Sequence, residues 1–317
     1  MLRKGIALAA HEPAAAVLDR RDQQARRSFF GARPLRMLQA AVAGCALGLA
    51  LIGGPALAAG GNTVVKHVDW TFDGPFGKFD PAQLQRGYKV YREVCAACHS
   101  MNLVYFRNLG QPGGPFYDAD YKNPNDNPYV KALAKDIQVN DIDSETGDVI
   151  QRAAIPADAF PSPFPNDAAA AASNGGAIPP DLSVITKART GGPDYVYSLL
   201  IGYKNPPAGL TVGTGQNYNV AFPGDLTAYW KGDHDHVPPG GFLAMPPQLE
   251  DGKVTFDDGT PSTIDQQAKD VTAFLAWASE PKQIERKQFG LGAMIYLLIF
   301  TVLLYFSYRR VWRNVAH

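Results

Sequence analysis

Cys95-Ala96-Ala97-Cys98-His99 is the stretch that decides how this 317-residue chain is read. Two thiols separated by two residues, with an imidazole directly after, form the pattern that attaches haem c. The thiols add to the two vinyl groups of the porphyrin, and the adjacent histidine reaches the iron. Three other uses of the pattern fit less well. A structural zinc site takes four ligands, usually with a second Cys or His pair, and Cys45 is the only other cysteine. A thioredoxin-like redox pair sits at a helix start in a βαβ context, which is absent here. A disulfide between cysteines three apart would be strained and would add little.

Working upstream, Asp80-Pro81 reads as an N-cap with proline in the first helical position. Leu84, Tyr88, Tyr91 and Val94 then fall on one helical face, and this helix delivers Cys95. A second helix is expected over residues 263–279. Thr263 and Gln266 can form a capping box, Val271, Phe274, Leu275 and Ala278 give the apolar stripe, and Pro281 ends it. A helix opening before the motif and another closing near the end match a c-type cytochrome fold.

The other axial ligand follows by elimination. Thioether and imidazole are the common neutral ligands, and the methionines are Met1, Met37, Met101, Met245 and Met294. The first two fall in an export segment and Met294 in an apolar span. Met101 is too close to His99 to cross to the opposite haem face. Met245 remains, in Ala244-Met245-Pro246-Pro247, where the prolines stiffen the chain. The histidine rivals are His67, His234 and His236, the last two in a polar run that reads as a solvated loop or a weak surface metal site. Asn174-Gly-Gly-Ala-Ile-Pro-Pro-Asp-Leu is a rigid loop ahead of a short helix, and Gly191-Gly192-Pro193 starts another. Arg189, just before it, reads either as an ordinary surface arginine or as the counter-charge of a haem propionate.

Both ends of the chain address a membrane. Arg26, Arg27, Arg33 and Arg36 precede an apolar run over residues 37–57 that closes in Ala56-Leu57-Ala58, the layout of a cleaved export signal. Near the other end, residues 289–308 carry no charge, a length that spans a hydrocarbon core of ~30 Å. Arg309, Arg310 and Arg313 follow, and the positive-inside rule places them in the cytoplasm. Between the two segments, residues 60–288 carry 19 basic and 27 acidic side chains, a net charge of −8. An acidic body argues against nucleic acid and for a basic partner steered by its field. Residues 118–148 alone hold eight acids and three lysines, with further pairs at Glu250-Asp251 and Asp257-Asp258.

Taken in order, Cys95-Ala-Ala-Cys-His-Ser-Met, Asn174-Gly-Gly-Ala-Ile-Pro-Pro-Asp-Leu-Ser, Ala188-Arg-Thr-Gly-Gly-Pro-Asp-Tyr-Val-Tyr-Ser-Leu-Leu-Ile-Gly-Tyr, Ala244-Met-Pro-Pro and the C-terminal span give a sequence that resembles the cytochrome c1 family. The resemblance implies a mainly α, c-type cytochrome fold with long loop insertions and one C-terminal transmembrane helix. It implies a presequence over residues 1–58, a periplasmic cytochrome domain over 59–281, and an anchor with a short cytoplasmic tail over 282–317. It implies one haem c bound through Cys95 and Cys98, with His99 and Met245 on the iron. Asn174, Pro179, Pro180, Arg189, Tyr195 and Leu200 would line the haem, with Arg189 at a propionate. The implied role is electron transfer within a dimeric quinol–cytochrome c oxidoreductase. Its partners there are cytochrome b, a Rieske iron–sulfur protein that supplies electrons, and a basic cytochrome c that accepts them. The implied location is a bacterial inner membrane, single-pass, with the soluble body in the periplasm. Residues 118–173 are the segment where this family is expected to vary.

Overall fold

The computed structural model describes residues 63–314. The expected presequence, its cleavage point and Cys45 lie outside these residues. In chain order the described elements are α1 (Pro81–Val90), α2 (Pro128–Lys135), β1 (Gln138–Ile142), β2 (Val149–Ala153), α3 (Asp167–Ser173), α4 (Ile185–Ala188), α5 (Gly192–Ile201), β3 (Asn217–Asn219), β4 (Gly241–Leu243), α6 (Ile264–Ser279) and α7 (Gln283–Val311). Short 3₁₀ turns fill several connections, and the two hairpins β1–β2 and β3–β4 are both antiparallel.

The crossing of α1 with α6 organises the body. α1 starts where the sequence predicts: the Asp80 side chain accepts from Ala82 N, and Pro81 occupies the first position. Leu84, Tyr88, Tyr91 and Val94 are all buried. The two helices meet at Gly87, where a β-carbon would stand 2.0 Å from Asp270 O, so only glycine allows this approach. Beside the crossing, Arg86 Nε donates to the fully buried Asp270 carboxylate at 2.8 Å. Removing one partner from such a pair leaves an uncompensated buried charge. Tyr88 of the first helix and Tyr91 just after it pack with Phe160, Phe274 and Trp277 into an aromatic core.

α6 spans Ile264–Ser279, with Thr263 as its N-cap accepting from Gln266 N. The reciprocal half of the expected capping box is not made, because the Gln266 side chain reaches forward to Asp270 instead. Gln266 Nε2 donates to that buried carboxylate at 2.8 Å, and the Thr263 N–H donates to Pro261 O at 3.0 Å. The 118–173 segment, expected only as a variable insertion, contains α2, the β1–β2 hairpin and α3. A second, smaller cluster of Leu210, Tyr218 and Leu226, with Trp230, Val237 and Phe242 against it, forms its own core between α5 and Met245.

α7 holds the apolar run over residues 289–308 and is the one described helix long and apolar enough to cross a membrane. At ~1.5 Å per residue its 29 residues extend for about 43 Å.

Candidate haem-binding site

The Cys95–His99 arm grows directly out of α1. After Val90 the chain takes a π turn over Tyr91–Cys95, closed by Ala96 N donating to Tyr91 O at 2.8 Å. Such turns insert one residue into a helix and are frequent at functional sites. The helical spacing that locates the buried stripe contains no sign of it. Cys98 N and His99 N then both donate to Cys95 O, which folds the motif into a tight knuckle. Cys95 and Cys98 are unpaired and half-buried. Burial, then the neighbouring Cys98, pushes the Cys95 thiol up to about 12.

His99 Nδ1 lies 2.8 Å from Pro180 O. A carbonyl can only accept, so the proton sits on Nδ1 and Nε2 keeps its lone pair free for a metal. Burial also lowers the His99 pKa, which favours the neutral ring. The chain after His99 is stitched to the loop bearing Pro180. Leu182 N donates to Ser100 O, Ser100 Oγ and Asn102 N donate to Asp181 Oδ2, and Leu103 N donates to Ser183 Oγ. Burial alone would raise the Asp181 carboxyl, but these donors outweigh it and hold the group below its ordinary value. Asp181 is therefore a positioning residue that the sequence reading missed.

The Met245 arm is built differently. It leaves β4, which pairs with β3 in the register Asn217 with Leu243 and Asn219 with Gly241. The Asn217 amide donates to Leu243 O and Ala244 O at 3.1 and 3.4 Å. Tyr203 Oη donates to Met245 O at 2.9 Å, and burial raises the Tyr203 pKa, so it keeps its proton as donor. Asn219 ties the same hairpin back to α5 through Leu199 O. No local pattern signals Tyr203 or Asn217, because each acts on backbone carbonyls more than twenty residues away.

The remaining expected residues divide. Tyr195 is buried near Arg189: burial raises its hydroxyl and the Arg189 charge opposes that rise. Arg189 itself is exposed and donates to Ala188 O. Leu200 packs against the main core. Pro179 precedes the carbonyl that holds His99. Asn174 directs its amide to Ala170 O within its own helix. His236 is engaged by Asp233 on an exposed turn.

The acidic clusters are partly neutralised. Asp257 and Asp258 pair with Lys89 and Arg86, and Asp141 pairs with Arg152. Another unforeseen group is Asp194 in the first turn of α5. It accepts from Val68 N at 3.2 Å and Trp70 Nε1 at 2.7 Å, and faces His67 Nδ1 at 2.7 Å, binding the segment before α1 to α5.

Two unpaired thiols on one knuckle and an imidazole with Nε2 free are donors that fit a haem c, and the Met245 thioether stands on a separately braced loop. The chain matches the Cytochrome C1 family over residues 70–315. It is 43% identical over 264 residues to a cytochrome b/c1 of Bradyrhizobium diazoefficiens, covering 77% of this chain and 35% of that protein's length. It is 41% identical over 270 residues to a cytochrome c1 of Rhodospirillum rubrum, covering 84% of this chain and 94% of that one. The mitochondrial cytochrome c1 haem protein of Kluyveromyces lactis is 42% identical over 247 residues, covering 78% and 75%.

Proposed function

The chain belongs to the cytochrome c1 family, and from that premise we propose that it is the membrane-anchored electron-transfer subunit of a dimeric quinol–cytochrome c oxidoreductase. It works beside cytochrome b, receives electrons from a Rieske iron–sulfur protein and passes them to a basic cytochrome c. The geometry at His99 carries this reading: Nδ1 committed to Pro180 O and Nε2 left as a ligand, one residue after Cys98.

In this reading Cys95 and Cys98 would hold haem c by thioether bonds, and His99 and Met245 would ligate its iron. A bound haem would supply a one-electron iron couple, its potential raised by Met/His ligation relative to two histidines. Pro180 O fixes the His99 ring, Asp181 fixes the segment after it, and Tyr203 with Asn217 fix the Met245 backbone. Asn174, Pro179, Tyr195 and Leu200 would line the group, with Arg189 set against a propionate. With His99 and Met245 both on the iron, the site would carry electrons and leave no position for a substrate. The soluble domain over residues 59–281 would lie in the periplasm of a bacterial cell, beyond a cleaved presequence over residues 1–58. Residues 282–317 would supply the anchor and a cytoplasmic tail. Basic acceptors would be drawn by acids outside the ion pairs described above, so transfer rates should fall steeply with ionic strength.

The deciding experiment is a gentle purification through a C-terminal tag followed by a reduced-minus-oxidised spectrum. Bands of c-type and b-type haem with quinol-dependent reduction are expected. A c-type band alone, without quinol activity, would overturn the oxidoreductase reading in favour of an anchored electron shuttle. Met245→His should lower the potential, and an unmoved potential would remove Met245 as ligand.

A further inference from the structure

The first turn of α7 is fastened to the soluble body. Ile284 packs against the main core. Lys287 Nζ donates to Phe72 O at 2.6 Å and to Gly77 O at 3.3 Å. Those two carbonyls bracket a tight turn over residues 73–77. Lys287 precedes Phe289, the first residue of the uncharged run, by two positions, or ~3 Å along a helix axis. The polar layer on each face of a bilayer is about 5–7 Å deep, from a total of ~40–45 Å around a ~30 Å core. Backbone held by Lys287 therefore stands at the depth of lipid headgroups.

The turn is rigid. Asp73 N donates to Trp70 O at 3.0 Å and Lys78 N to Thr71 O at 2.9 Å. A β-carbon on Gly77 would stand 1.9 Å from Asp73 O, so the chain doubles back with no space to spare. At its base Phe72 and Phe79 are buried with ring centroids 4.7 Å apart. At its tip Phe76 is 75% exposed, beside an exposed Pro75. Isolated exposed apolar side chains are ordinary. This one sits on a preformed turn, level with the start of the span, where insertion costs little further ordering.

We propose that this turn is a second membrane contact, with Phe76 inserted at the headgroup–acyl boundary beside the start of α7. The proposal rests on α7 being a membrane anchor. It deepens that reading, because a helix alone leaves the body free to tilt, whereas a helix with a fixed apolar point beside it sets the body's height and inclination over the bilayer. Aromatic side chains suit that boundary, and the Lys287 ammonium at the same level suits lipid phosphates.

The test places a polarity-sensitive fluorophore on Phe76→Cys, Leu298→Cys and Ser144→Cys variants of the full-length protein. The unsubstituted chain serves as the blank for labelling at Cys95 and Cys98. Each is reconstituted, in whatever assembly it purifies, into phosphatidylcholine nanodiscs with or without brominated acyl chains. Leu298 lies within the span and Ser144 in the exposed β1–β2 turn. Brominated lipid is expected to quench the label at 76 several-fold more than the label at 144, approaching the label at 298. Quenching at 76 no greater than at 144, with 298 strongly quenched, would overturn the proposal while leaving the anchor intact. A label at 76 shielded from both brominated lipid and aqueous iodide would assign the turn to a protein neighbour and overturn it equally. An unquenched label at 298 would remove the anchor, and the proposal with it.

Discussion

The Cys95–His99 arm rises from the crossing of α1 and α6, whose side chains form the largest contiguous core of the described residues. The Met245 arm rests on the Leu210–Tyr218–Leu226 cluster and on hydrogen bonds from Tyr203 and Asn217 to backbone carbonyls. One proposed ligand is placed by helix packing, the other by polar fastening of a loop. Hydrophobic packing is a collective term that changes only when the body unfolds. A few hydrogen bonds worth ~1 kcal/mol each can open locally without it. The two proposed iron ligands should therefore differ in how easily they are lost, with the thioether going first.

The largest expected effect tests the first half of that contrast. Phe274 is fully buried between Tyr88, Tyr91 and Trp277. Phe274→Ala should destabilise the whole body by about 3–5 kcal/mol, seen as a lower midpoint for every probe in a denaturant titration. A variant that lost only local structure would show that α1 and α6 are not one cooperative unit. Leu226→Ala should cost about 2 kcal/mol, the low end for such truncations, because a small cluster can collapse around the gap. Its effect should stay within the arm. Hydrogen exchange should quicken at residues 241–247, while the midpoint of the main transition holds. Equal loss of protection at residues 84–94 would erase the distinction between the two regions.

The same contrast explains what could be read without coordinates. Cys95, Cys98 and His99 are contiguous, so their chemistry is written in five letters. The Asp80 cap and the Leu84–Tyr88–Tyr91 stripe repeat at a period that the helix itself imposes. Met245 is the proposed partner ligand because few methionines compete for the role. The supports are another matter. Asp181, Asp194, Tyr203 and Asn217 work through bonds to carbonyls, amides or rings distant in sequence, and any polar residue at those positions would look the same from its neighbours. The π turn over Tyr91–Cys95 is silent for a similar reason: the buried positions of α1 keep their faces, and only the hydrogen-bond register shifts. The half-made capping box at Thr263 reflects Gln266 Nε2 bonding Asp270 and Thr263 N bonding Pro261 O, and no local pattern announces the burial of Asp270.

A smaller effect separates fastening from packing on the Met245 side. Tyr203→Phe keeps the ring and removes one hydrogen bond, about 1 kcal/mol. Asn217→Ala removes the other tether. On the proposed ligation, each should weaken the visible absorption of methionine-bound ferric haem and let the reduced protein take up carbon monoxide. The double variant should do so more than either alone. Met245→Leu provides the reference, since it should show the full change. If Met245→Leu changes the spectrum and the tether variants do not, the ligand stands and the tethers are incidental. If Met245→Leu changes nothing, the ligand assignment itself falls.

The smallest effect concerns a third fastening, where the segment before α1 crosses α5. His67 faces Asp194, and the carboxylates of Asp69 and Asp73 also act on it. The hydrogen bond and charge of Asp194, the largest of these influences, raise the His67 pKa above its ordinary 6.5. A raised folded pKa means that the protonated ring favours the folded contact. Its contribution is complete below pH 6.5 and disappears as pH climbs through the raised value. NMR titration should place His67 above 6.5 in the intact protein and return it toward 6.5 in Asp194→Asn. Protection factors of the Lys66 and Val68 amides, whose N–H groups bond Ser198 Oγ and Asp194 Oδ1, should decline over the same pH interval. The decline should stay partial and leave β3 unchanged, because the bonds of Val68 N and Trp70 Nε1 to Asp194 Oδ1 do not need a charged His67 ring. A pH-independent strap with an unshifted His67 would leave Asp194 as a purely backbone fastening, like Asn217 on the opposite arm.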